Sequence, residues 1–262
     1  MKGIHSHNYP WLDISGRFPN KEPVRPDEND TATWQRVMHK LAGTTHLKLL
    51  AWPTSDPDWR AERDLVLEKQ SYYGQTITVR VVHNNFLSRP TAYAAEMVRV
   101  AAVLRRTTTK PLWFELGNEP DLIGEGWHGD LDEYCSWKDK VVRALQLYNF
   151  QHGLFSAAVS EWKRRFQEEL PERLAGTHGL AIHAYNEVHD VEQQLLWLDN
   201  MGLGHYPVML SEFGSTMHSR MADFKRLEGL DLVAWHIFIA EGLSNGAWDQ
   251  RYELSEAECS EL

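Results

Sequence analysis

Short apolar and β-branched runs alternate along this chain with longer stretches whose apolar positions recur at helical spacing. The runs predict strands over Lys2–His7, Thr45–Trp52, Thr76–Asn84, Leu112–Asn118, Gly153–Ser160, Gly179–Tyr185, Pro207–Phe213 and Leu232–Ile239. Between them, "TAYAAEMVRVAAVLRR" and "DVEQQLLWLDNM" read as helices with one apolar face. Asp30, Ser55 and Thr91 are placed to cap helix starts, and Gly43, Gly74 and Gly176 to stop helices. Strands each followed by a helix, without a repeat or a low-complexity linker, predict the α/β class and a single (β/α)8 TIM barrel over residues 1–262. A doubly wound open sheet calls for a glycine-rich turn after the first strand, and "HSHNYPW" is not one. The Pro, Asn and Asp content of residues 8–30 predicts a long first βα-loop, on the face where such barrels build their sites.

Composition narrows the partners. With 42% hydrophobic residues the chain can bury a large core. A net charge of −10 disfavours nucleic acid and anionic membranes, and no basic run opposes that reading. The start has no signal-like apolar region and no apolar run approaches a membrane span, so the expectation is a soluble, by default cytoplasmic, protein. The 11 tryptophans suit a surface that stacks on flat apolar ligand faces, sugars included. Cys135 and Cys259 make no disulfide framework, although one bridge between them is compatible with the sequence.

The chemistry concentrates in "PLWFELGNEPDL". Alternation puts Glu115 and Gly117 on one face of the fourth strand, and Phe114 and Leu116 on the other. Glu115 then lies inside the strand and needs a positive partner, for which the mid-strand bases Lys48 and Arg80 are candidates, so it is read as structural. Asp121, beyond Pro120, is a loop or capping residue. Glu119 falls where the strand ends, at the mouth where barrel enzymes keep their chemistry. In "YPVMLSEFGS", Glu212 closes the seventh strand in the same way. Two carboxyl groups at one barrel mouth are what glycoside hydrolysis uses, one to protonate the leaving oxygen and one to attack the anomeric centre.

"FELGNEPD" on the fourth strand, "IHAYN" on the sixth and "MLSEFG" on the seventh resemble clan A glycoside hydrolases, retaining enzymes on (β/α)8 barrels. The resemblance implies that Glu119 is the acid/base, Glu212 the nucleophile and Asn118 a donor to the sugar 2-hydroxyl. It implies further that His183 and Tyr185 form the strand-six pair whose tyrosine bonds the nucleophile, and that Trp235 or Trp248 floors the subsite at the cleaved bond. His83, ending the third strand, reads as a wall of the cleft. The implied reaction is a double displacement on β-glycosides of an oligo- or polysaccharide, with no cofactor and no metal. "ELGNEPD" is similar to the branches that cleave glucuronides and xylosides. The chain departs from the clan in having Lys48 where an arginine is common on strand two, and in its compactness.

Two rivals come from other classes. His5 and His7 in "GIHSHNY" share a strand face and resemble the opening ligands of metal-dependent amidohydrolase barrels. Strand five, "GLFSAAVSEW", carries no histidine to continue that pattern, and no strand-ending Asp appears in "LVAWHIFIAEG". A barrel that binds carbohydrate without cleaving it is the third reading. The presence of both acids favours the enzyme.

Overall fold

The structure, a computed structural model, describes residues 2–6, 45–55, 57–71, 74–158, 169, 173–185, 188–214 and 220–238. The strands are β1 (Lys2–Ser6), β2 (His46–Ala51), β3 (Thr76–Val81), β4 (Leu112–Leu116), β5 (Gly153–Ser156), β6 (Leu180–Ala184), β7 (Val208–Phe213) and β8 (Ala234–Phe238). The helices are α1 (Pro57–Gln70), α2 (Pro90–Leu104), α3 (Leu131–Leu147), α4 (Val188–Asn200) and α5 (Arg220–Glu228). All described pairings are parallel, in the order β5-β4-β3-β2-β1-β8-β7-β6, so consecutive strands are neighbours and β1 joins β8. The two strands at the ends of this order also meet. Phe155 of β5 bridges Gly179 just before β6, Ser156 N–H donates to the Gly179 carbonyl at 3.1 Å, and His178 N–H donates to Leu154 O at 2.6 Å. A Cβ on Gly179 would collide with the Pro207 carbonyl, so only glycine permits this approach.

Every observed strand lies inside its predicted run. The Thr91 cap is corrected: the cap position is Arg89, two residues earlier, and Pro90 is the first residue of α2. Proline suits that place because the first helical N–H has no partner to lose. A cap the sequence reading passed over is Asp130, whose carboxylate accepts from the N–H groups of Asp132 and Glu133 at 2.8 and 3.1 Å. Asp30, Gly43, the whole first βα-loop predicted over residues 8–30, Cys259 and Trp248 lie outside the described residues. Among the described residues no helix is long and apolar enough to cross a membrane.

Strand alternation sorts side chains into two cores. One face of the sheet packs on the helices, bringing Leu47, Val79, Phe114 and Leu210 against residues such as Met97 and Leu145. The other face gathers Phe155, Ala158, Ala181, Met209 and Ala234, with Trp113 against them. This second core is partly polar. His46 bonds the Thr78 hydroxyl at 2.9 Å and lies edge-on to His236 and Trp113, and the Thr78 hydroxyl also reaches Met209 Sδ at 3.4 Å. Lys48, Arg80, Glu115 and His183 stand on the same face, nearer the C-terminal ends of their strands.

Candidate active site

The fourth strand delivers its acids through a strained turn. Gly117 has φ +94°, and a Cβ there would lie 2.7 Å from the Trp127 ring, so both conformation and space demand glycine. Glu119 is itself left-handed at φ 35°, a costly region for a residue with a side chain, and Leu122 N–H closes the turn on its carbonyl at 2.9 Å. The side chain of Glu119 is 13% exposed. Such strain in a buried turn is found where a side chain must be aimed.

The seventh strand delivers Glu212 through a bulge. Ile182 pairs with Leu210 but the next residue, His183, pairs with Glu212, so Ser211 is an extra residue on β7. Met209 and Ser211 face inward by ordinary alternation, and the bulge turns Glu212 inward as well before Phe213 rejoins the outer core. Ser211 then donates to Glu115 Oε1 at 3.1 Å, while Glu212 reaches the centre beside it.

Around these carboxylates the charges interlock. Lys48 Nζ lies 2.8 Å from Glu115 Oε2 and 3.0 Å from Glu212 Oε1. Arg80 donates to Glu212 Oε1 at 2.8 Å and also to the Asn118 side-chain oxygen. That second bond fixes the Asn118 amide with its NH2 toward the acids, where it donates to Glu119 Oε2 at 3.4 Å. Tyr185 donates its hydroxyl to Glu212 Oε2. His183 spans the pair: Nδ1 is 2.9 Å from Glu119 Oε1, and Nε2 is 3.7 Å from Glu212 Oε1 and 3.6 Å from Glu115 Oε1. One imidazole thus bridges the gap between Glu119 and Glu212.

The ionisation states follow from these neighbours. Burial opposes a charge on His183, but Glu212, then Glu115 and Glu119, outweigh it and push the imidazole up to about 9. Burial likewise opposes the charged forms of Glu115 and Arg80. Lys48 foremost pulls Glu115 below the usual carboxylate range, and Glu212 with Glu115 raises Arg80. Burial, reinforced by Glu212, raises the Tyr185 phenol well above its ordinary value. Three histidines move the other way. Burial lowers His83 to about 4 and His236 to about 3, Lys48 assisting at His236, and burial with His236 as neighbour lowers His46.

These shifts fix how stability depends on pH. Between about 6.5, the unfolded histidine value, and about 4, the unfolded chain binds protons that buried His46, His83 and His236 refuse, so stability falls as pH falls. Glu115, held low in the fold, adds to the loss at the acid end. His183 keeps its proton up to about 9, so its contribution is complete below about 6.5 and is lost as pH rises from there. Urea midpoints should therefore peak near neutrality and decline on both sides, and His183→Gln should remove the alkaline decline. A flat profile from acid to alkaline pH would contradict the buried histidine assignments.

Of the residues singled out from sequence, Asn118, Glu119, His183, Tyr185 and Glu212 stand together at the ends of β4, β6 and β7. His83 is close by but buried: it stacks on Trp127 with ring centroids 4.3 Å apart, and its Nε2 is 2.8 Å from the Glu125 carbonyl. Trp235 is a correction. It lies near the start of β8 and faces α5, packed on Phe224 with ring centroids 5.9 Å apart, because alternation on β8 turns Ala234 and His236 inward instead. Trp248 and His7 fall outside the described residues, and His5 is placed only by register, opposite Lys48 of β2 and Phe238 of β8. Sequence reasoning missed Glu125. Its carboxyl is 26% exposed, 3.7 Å from His83 Nε2 and within hydrogen-bonding reach of Asn118.

No family model matches the chain, and no curated protein sequence matches it. Solved structures do. A GH39 enzyme from Xanthomonas axonopodis pv. citri is similar with a TM-score of 0.57 and 13% identity, over 80% of this chain and 55% of that one. A monomeric β-xylosidase from Caulobacter crescentus CB15 gives a TM-score of 0.55 and 14% identity, over 90% and 59%. AbfB, a family 51 α-L-arabinofuranosidase from Bifidobacterium longum, gives 0.54 and 16%, over 89% and 59%. These are clan A glycoside hydrolases on TIM barrels, and this chain spans less than two thirds of the length of each. At these identities the likeness is one of fold and not of family.

Proposed function

We propose that the chain is a retaining glycoside hydrolase whose eight strands close into a (β/α)8 barrel, with Glu119 as acid/base and Glu212 as nucleophile. The observation that carries this reading is the pairing of Glu119 and Glu212 across the His183 imidazole, at the C-terminal ends of β4 and β7. The contact across Phe155 and Gly179, which joins the two end strands, supports closure.

Each contact has a chemical use. Lys48 and Arg80 converge on Glu212 Oε1 and Tyr185 donates to Oε2, an arrangement that stabilises the anion needed to attack. As the anomeric carbon bonds to a Glu212 oxygen, Glu119 passes its proton to the glycosidic oxygen and the leaving group departs. Water, deprotonated by Glu119, then displaces Glu212 and restores both groups. The protonated His183 donates to Glu119 Oε1, so the other oxygen, Oε2, is the one that gives and takes the proton. Asn118, its amide locked by Arg80, is oriented to donate to a sugar hydroxyl.

In the amidohydrolase reading His183 would be a metal ligand, and here its imidazole stands among the carboxylates of Glu115, Glu119 and Glu212. A panel of 4-nitrophenyl β-xyloside, α-L-arabinofuranoside, β-glucoside and β-glucuronide, run with and without EDTA, tests the proposal. At least one glycoside should be cut at an EDTA-independent rate, with NMR showing the first-formed sugar in retained configuration. An inverted first product would remove the double displacement. Sugar binding without any cleavage would favour the non-catalytic barrel.

A further inference from the structure

The site holds more negative charge than a two-carboxylate mechanism uses. Glu115, Glu119, Glu125 and Glu212 all border it, and Glu125 is the most exposed of the four at 26%, against 13% for Glu119 and 4% or less for the others. Among the described residues, the cations that touch this group are Lys48, Arg80 and His183. Lys48 lies on Glu115 and Glu212, Arg80 on Glu212, and His183 on Glu119. His83, the base beside Glu125, is kept neutral by burial. Glu125 is therefore the rim carboxylate that no described cation touches closely; burial raises its pKa, and the Asn118 amide and the more distant Arg80 oppose that rise.

Its place is set by two neighbours. The His83 ring, stacked on Trp127, bonds the Glu125 carbonyl at 2.8 Å and anchors the short 3-10 turn Ile123–Glu125. The Asn118 amide lies beside both Glu119 and the Glu125 carboxyl, so Glu125 adjoins the bond that Glu119 would protonate. A sugar ring seated there brings hydroxyl groups, which donate to a carboxylate at little cost. A ring that brings its own carboxylate meets a like charge in a site with restricted water.

Resting on the glycoside hydrolase reading, we infer that Glu125 is a substrate-selecting residue: it accepts hydrogen bonds from sugar hydroxyls beside the scissile bond and rejects uronic acid glycosides, making neutral glycosides the substrate class. This separates the xyloside-like from the glucuronide-like alternative that the strand-four motif leaves open.

The test compares kcat/KM for the best neutral 4-nitrophenyl glycoside and for 4-nitrophenyl β-glucuronide, in the wild type, Glu125→Gln and Glu125→Lys. The wild type should prefer the neutral substrate by about 100-fold or more, a two-decade discrimination of the size like-charge rejection produces. Glu125→Gln should narrow that ratio by about tenfold, through a gain on the glucuronide, and Glu125→Lys should narrow it further. Melting temperatures check that both variants fold. A wild type that cuts both substrates equally, or a ratio unmoved in both folded variants, overturns the inference while leaving the hydrolase standing. A wild type that cuts no glycoside overturns the hydrolase reading and this inference with it.

Discussion

Glu212→Ala is expected to lose about 10⁴-fold or more of its turnover of an activated glycoside, because no glycosyl-enzyme forms without the nucleophile. Azide or formate should return part of that rate by entering the space the side chain leaves, and the product should have inverted configuration. The space is defined by donors that remain after the substitution. Lys48 and Arg80 converge on the Oε1 position and the Tyr185 hydroxyl on the Oε2 position, so a small anion finds two cations and a phenol already in place. Glu119→Ala should fail differently. A good leaving group needs no protonation, so the covalent intermediate should form and then stall, and azide should release it with retained configuration. In the proposed mechanism the two stereochemical outcomes are opposite because azide inverts the anomeric centre once when it stands in for Glu212, and a second time when it attacks the covalent intermediate. Loss of activity to chelators, with both alanine variants near wild type, would move the chemistry to the His5 and His7 reading.

Strands such as β2, β4, β6 and β7 were legible because most of their residues are apolar and nearly all are buried between two layers, as parallel sheets require. Glu119 was legible for a related reason: a Gly-Asn-Glu-Pro turn interrupts such a run abruptly. Glu212 was placed at a strand end correctly, but strict alternation would have set it beside outward-facing Leu210. The bulge at Ser211 reverses that, and nothing in "MLSEFG" announces an extra residue. Trp235 was misplaced for a different reason: the resemblance implied that it or Trp248 floors the cleft, whereas alternation on β8 turns the next residue, His236, inward instead. Glu125 had no period to reveal it. It lies on a short turn whose direction is set by Gly126 at φ +99° and by the anchoring of His83 on its carbonyl. Contacts between distant loops determine such positions, and hydrophobic pattern carries no record of them.

Glu115 separates a carboxylate that holds the site together from those that react within it. It is fully buried, with Lys48 on one oxygen and Ser211 and the Ala158 N–H, at 3.4 Å, on the other. Glu115→Gln keeps the shape and removes the charge. Stability should drop by up to about 3–5 kcal/mol, the scale for breaking a buried pair, with Lys48's second partner Glu212 moderating the loss. Turnover should persist, since neither proton transfer nor attack passes through Glu115. Lys48→Met should cost more, because it leaves the Glu115 and Glu212 carboxylates facing each other with, among the described residues, Arg80 and His183 as the remaining cations beside them. Combining the two substitutions removes one charge of each sign. The double variant should therefore be less destabilised than the sum of the singles, a coupling visible in urea unfolding. If the singles add without coupling, Lys48 and Glu115 are not the pair described. Should Glu115→Gln keep full stability and lose all turnover, Glu115 belongs to the chemistry and Glu119 loses its role as the acid.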